Sequence, residues 1–126
     1  MDYSQLSDFE INVAVFEAIH NGSPDYKEGE NGDMVFVSFE GDIVNGDAVE
    51  VEVERGSFNP CANPADADPI IVENRIGIIP APENGLWKAA HRKVGSDSTP
   101  YHITQDENPL RAAMIVFLMM QDVNNA

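Results

Sequence analysis

Ala48-Val49-Glu50-Val51-Glu52-Val53-Glu54 alternates without a break between apolar and acidic side chains. A repeat of two belongs to a strand, so Val49, Val51 and Val53 point one way and Glu50, Glu52 and Glu54 the other. Just upstream, Gly41-Asp42 and Asn45-Gly46-Asp47 are turn residues, and Met34-Val35-Phe36-Val37-Ser38-Phe39 reads as a second strand. The two predict an antiparallel, half-buried ribbon carrying a solvent-facing row of carboxylates.

Outward from this ribbon the chain turns helical at both ends. Ser7-Asp8-Phe9-Glu10 is a capping box, and Leu6 with Ile11 forms the hydrophobic staple. Phe9, Val13, Phe16 and Ile19 recur at helical spacing, broadened by Ile11, Val15 and Ala18, until Asn21-Gly22 and Pro24 stop the helix near His20. Residues 23–33 are polar, acidic and glycine-containing, and read as an exposed loop. At the other end, Asn108 caps a helix that Pro109 opens at its first position, where a missing N–H costs nothing. Its stretch Ala112 to Met120 holds no polar residue, so this helix is expected to be buried on most sides, packed across the sheet or also serving a dimer interface.

Between these landmarks the reading is looser. Two Asn-Pro steps, Asn59-Pro60 and Asn63-Pro64, predict ordered turns over 58–65. Pro69 to Val72 and Ile76 to Ile79 read as two short strands, or as a helical turn and one strand. Leu86–Ala90 and Tyr101–Thr104 read as further strands. The fold expected is α+β in one domain over 1–126: an N-terminal helix, a mostly antiparallel sheet of three to six strands, and a buried C-terminal helix.

A chain of 126 residues can bury one core. It carries 22 acidic against 7 basic residues, a net charge of −15. All but 2 of those net charges fall in residues 1–54, where Lys27 is the one base among 14 acids. Such a field repels nucleic acid and anionic membrane and attracts basic partners, although acidity also serves solubility. The opening residues carry no basic flank or apolar core of a secretory signal, and the longest apolar run falls short of the ~20 residues that span a bilayer.

Catalytic signatures are missing. The sequence has no P-loop, no dinucleotide fingerprint, no Gly-x-Ser-x-Gly elbow and no His-Glu-x-x-His. The single cysteine, Cys61, and the three histidines have no spacing that makes a nucleophile and base, so Cys61 reads as half-buried in a turn. Asp25 to Asp33 lacks the EF-hand pattern, and Asp66 and Asp68 read as turn caps, so no metal and no cofactor is expected. Two binding surfaces remain. One is acidic, formed by Asp42, Asp47, Glu50, Glu52 and Glu54. The other is an anion site in which Trp87, Lys88 and Arg92 join Arg111 at the start of the last helix.

Three blocks resemble a known family. Met1-Asp2-Tyr3-Ser4-Gln5-Leu6-Ser7-Asp8-Phe9-Glu10-Ile11-Asn12 is similar to the start of the NinX-like family of phage and prophage proteins. Asn59-Pro60-Cys61-Ala62-Asn63-Pro64-Ala65-Asp66-Ala67, running into Pro69-Ile70-Ile71, resembles its central segment, and Asn108 to Met120 its C-terminal helix. The chain departs from the family pattern where Asp68 replaces a common tryptophan, and in the Val-Glu ribbon. The resemblance implies a small accessory protein made in the cytoplasm of the bacterial host during phage development. It implies no reaction and carries no catalytic residue onto this chain.

The function expected is therefore non-enzymatic: a phage accessory protein that binds and blocks a host component, in counter-defence, its acidic surface meeting a host protein with a basic surface. The alternative is a sponge that sequesters a signalling nucleotide through Trp87, Lys88, Arg92 and Arg111, at a homo-oligomer interface lined by the last helix. Neither version involves direct nucleic-acid binding or a membrane.

Overall fold

The computed structural model describes residues 2–81, 85–91 and 102–124. Three helices, α1 (Asp8–His20), α2 (Pro64–Glu73) and α3 (Pro109–Asn124), accompany two antiparallel three-stranded sheets. The first sheet has the order β1 (Tyr26–Glu28), β2 (Met34–Val44), β3 (Asp47–Phe58). The second has the order β4 (Gly77–Pro80), β5 (Trp87–His91), β6 (His102–Asp106). The fold is α+β, with helices at both ends as the capping signals predict.

α3 is the centre of the molecule. Residues Ala112 to Leu118 are all buried, because β5 and β6 pack on it from one side and α1 and α2 from others. Each large apolar side chain so enclosed contributes about 1.5–3 kcal/mol. This enclosure accounts for the unbroken apolar run within one chain, so no dimer interface is needed to explain it. Asn108 caps the helix as expected: its Oδ1 accepts from the N–H groups of Leu110 (2.9 Å) and Arg111 (3.3 Å).

α1 starts on the predicted box, with the Ser7 N–H donating to Glu10 Oε1 (2.9 Å) and the Glu10 N–H to Ser7 Oγ (3.1 Å). The Ser7 N–H, and then the Ser7 side chain, bonded to its charged form, hold the Glu10 carboxyl below its usual pKa. Asn21, in the left-handed region at φ 57°, ends the helix. Its buried face differs from the one expected. Ile11, Asn12 and Val15 are enclosed, whereas Phe9, Val13 and Phe16 are half-buried and Ile19 is exposed.

The reason is a polar hub that pulls Asn12 inward. Asn12 Nδ2 donates to Gly32 O (2.9 Å) and to Asn59 Oδ1 (2.8 Å), while its Oδ1 accepts from the Cys61 N–H (3.1 Å). Asn59 Nδ2 donates in turn to Asn31 O (3.0 Å) and Asp33 Oδ1 (2.7 Å). Asn108 Nδ2 reaches Cys61 O (2.6 Å). Buried amides with every group satisfied fix one arrangement of the turns around them.

Three expectations are corrected here. Residues 23–33 are largely exposed but include β1 and a 3-10 turn over Glu30–Gly32; β1 forms because β2 offers it an edge, not because its own residues demand a strand. Gly41-Asp42 is not a turn: β2 runs straight through it. The ordered turns end at Asn63, whose side chain caps α2 by accepting from the Ala65 N–H (3.0 Å), with Pro64 at its first position. Pro69 sits inside this helix, so the segment resolves as helix then strand, β4.

Candidate functional site

The β2–β3 hairpin turns on two residues, Asn45 (φ 53°) and Gly46 (φ 85°). Positive φ at both central positions is the type I′ turn, whose twist matches that of its strands. Pairing then runs Val44 with Asp47, Asp42 with Val49, Glu40 with Val51 and Phe39 with Glu52. Near the core the register slips between Phe36 and Val37, leaving Arg55 as a bulge beside Gly56. Arg55 Nε donates to Ser38 Oγ (2.8 Å), and its guanidinium pairs with Glu40.

The base of the hairpin belongs to the core. Phe16 of α1 meets Phe36 at 5.1 Å and Phe58 at 5.5 Å between ring centroids, and Met34 is fully buried. Beyond Val37 the ribbon leaves the core, and both faces become exposed from Glu40 to Glu52. The expected half-buried ribbon is thus buried only at its root.

Paired residues in an antiparallel ladder point to the same face. Glu50, Glu52 and Glu54 therefore share a face with Val37, Phe39 and Ile43, while Val49, Val51 and Val53 lie with Ser38, Glu40 and Asp42. The five acids assigned to one surface are divided: Glu50, Glu52 and Glu54 on one face, Asp42 and Asp47 on the other. Each face mixes an acidic row from one strand with an apolar row from its partner. Phe39 is 52% exposed and Ile43 73%. Sequence reasoning did not include these two in the surface; the position of Asn45-Gly46, which sets the register, is the signal that identifies them.

The glutamate row already holds one cation. Lys27 Nζ, from β1, lies 2.8 Å from Glu52 Oε2 and 3.0 Å from Glu54 Oε1. Hydrogen bonds to Glu52 and then Glu54 raise the lysine pKa. These groups are exposed, so the pairs add little stability. Glu50 has no ion-pair partner among the described residues.

Of the alternative anion site, Trp87, Lys88 and Arg111 lie among the described residues. Trp87 and Lys88 are consecutive on β5 and point to opposite faces of the second sheet; Arg92 lies outside the described residues. Every nitrogen of Arg111 is engaged within the chain. Nε donates to Asp106 Oδ2 (3.1 Å), Nη1 to Asp8 Oδ1 (2.7 Å), and Nη2 to the carbonyls of Leu6 (2.7 Å) and Ser4 (3.2 Å). Burial works against its charge, but the Asp8 hydrogen bond and the two carboxylates outweigh it and raise the pKa. Arg111 is a clamp on the N-terminal segment.

Cys61 is fully buried, its Sγ 4.0 Å from Asp8 O. Burial, reinforced by the Asp8 carboxylate, pushes the thiol pKa up to about 12, the opposite of an activated thiolate. Asp66 serves as a cap, accepting from the Asn59 N–H at 2.9 Å.

The three family-like blocks meet in these contacts. Arg111 ties the last block to Asp8 and the carbonyls before it, Asn12 joins the first block to Asn59 and Cys61, and Asn108 joins the last to Cys61. These three blocks therefore lie in the scaffold, outside the exposed part of the hairpin. Among the described residues no helix is long and apolar enough to cross a membrane. No curated protein matches the chain. A family model described as Bacteriophage P22, NinX matches residues 2–121, and the chain belongs to that family.

Proposed function

We propose that this phage accessory protein is a non-enzymatic binder that blocks a host component, in counter-defence, by presenting its acidic hairpin to a basic surface on a host protein. The observation that carries the reading is the hairpin's departure from the core. Residues 34–58 hold six acids and one base, and from Glu40 to Glu52 every residue is exposed, with Lys27 of β1 reaching Glu52 near the root. A two-stranded ribbon is marginal by itself, and leaving Phe39 and Ile43 in water adds to its cost. A partner that covers the ribbon relieves both. The charge steers a basic partner and repels nucleic acid and anionic membranes. The inert Cys61 thiol also favours binding over catalysis.

The test is E50K/E52K/E54K. The wild-type chain should retain a defined set of host proteins in quantitative pull-downs at low salt and inhibit their activity. The triple variant, folded by circular dichroism, should lose both. Undiminished inhibition by the variant would discard the reading. The nucleotide sponge is not favoured, because four of the five guanidinium N–H groups of Arg111 are spent within the chain and Trp87 and Lys88 face apart.

A further inference from the structure

We propose that the outer edge of β3 is a strand-addition site: an extended basic segment of the protein partner docks there as a fourth, antiparallel strand. Its Lys or Arg side chains would lie opposite Glu50 and Glu52, and its intervening apolar side chains over Val49 and Val51. The inference rests on the acidic-hairpin reading and names how that hairpin engages its target.

The first observation is the free ladder. β3 ends its sheet and pairs only with β2 among the described residues. The residues flanking a two-residue turn, Val44 and Asp47, form a hydrogen-bonded pair, and such pairs alternate along an antiparallel ladder. Val49, Val51 and Val53 thus bond to β2, and the N–H and C=O groups of Ala48, Glu50 and Glu52 point outward. The same alternation turns the Val37 N–H away from β3, where it donates to Asp25 O at 3.0 Å.

Charge then selects the occupant. A second copy adding antiparallel by the same edge must set outward residues against outward residues, which places glutamate opposite glutamate. A basic strand reverses the sign of every such pair. Its cations every second residue match the ~6.8 Å spacing of the glutamates. Lys27, seated between Glu52 and Glu54, shows how an ammonium settles on that row. On the opposite face Val49 and Val51 are exposed and offer apolar cover to the residues between. Main-chain bonds supply affinity and the alternating side chains supply specificity.

The probe is a short peptide alternating Lys and Val, compared with one of the same composition in blocks, read by amide hydrogen exchange on the full chain. The alternating peptide should slow exchange of the Ala48, Glu50 and Glu52 amides about tenfold more than the block peptide does. E52P removes an outward N–H without breaking the β2 ladder, and should abolish this protection; E52Q, which removes only the charge, should keep much of it. Peptide binding without protection of those amides overturns the proposal. So does equal behaviour of E52P and E52Q when both remain folded. Protection that grows with protein concentration alone would assign the edge to a second copy and overturn it too. In each of these cases the acidic-hairpin reading survives if E50K/E52K/E54K still loses its host target, and falls only if that variant retains it.

Discussion

Replacing Arg111 by methionine tests whether this side chain is a clamp or a spare cation. Methionine keeps the packing of the alkyl stem and removes four charge-assisted hydrogen bonds. The arginine side chain is 13% exposed, and deleting one member of a buried ion pair costs about 3–5 kcal/mol. Its partners are better hydrated, Asp8 at 39% and Asp106 at 20%, so water partly re-solvates the stranded carboxylates. The expected loss is therefore near the lower bound, about 3 kcal/mol. That is a large share of the ~5–15 kcal/mol that holds such a domain, and amounts to a Tm fall of roughly 10 °C. R111K, which reaches one carboxylate and cannot fork, should lose about half as much. Urea denaturation followed by circular dichroism reads both, as a lower midpoint at unchanged slope. A loss below about 1 kcal/mol for R111M would refute the clamp and release Arg111 as a ligand for anions.

Two further outcomes are expected. Cys61 should resist a thiol reagent at pH 8 in the native chain and react fully in denaturant, because its pKa is pushed up to about 12; rapid native labelling would show that the turn opens. His102, stacked on His91 at 6.2 Å between ring centroids, has its pKa lowered below 6.5, by burial first and then by the charge of His91. The unfolded chain then binds a proton that the native chain refuses, so stability present above 6.5 should decline as pH falls through that value, and H102Q should flatten the decline below it.

What the sequence revealed, and what it hid, follows from the range of the forces involved. The capping box at Ser7-Glu10, the Asn108-Pro109 start and the Asn45-Gly46 turn act within four residues, and each stands where local chemistry put it. β1 depends on an edge supplied by β2, and α2 overrides a proline that local rules place in turns. The face of α1 was misjudged because apolar spacing cannot foresee that Asn12 is drawn inside by Asn59 and Cys61. For the candidate site, alternation along β3 correctly separates valines from glutamates, but it says nothing of phase with β2. The turn gives partners numbers of opposite parity, so Asp42 and Asp47 fall on the face away from Glu50 and Glu52. The ion pairs of Arg111 were hidden for a different reason: a basic residue at a helix start looks alike in sequence whether it awaits a phosphate or already grips Asp8.

The central position of α3 also orders events during synthesis. The enclosing elements, α1, α2, β5 and β6, are all translated before the helix they surround. Until the ribosome has passed that helix, the nascent chain can form its hairpin and its first capped turn but has nothing to close upon. A product cut short ahead of residue 109 should consequently be an unfolded chain open to proteolysis, not a smaller working version of the protein.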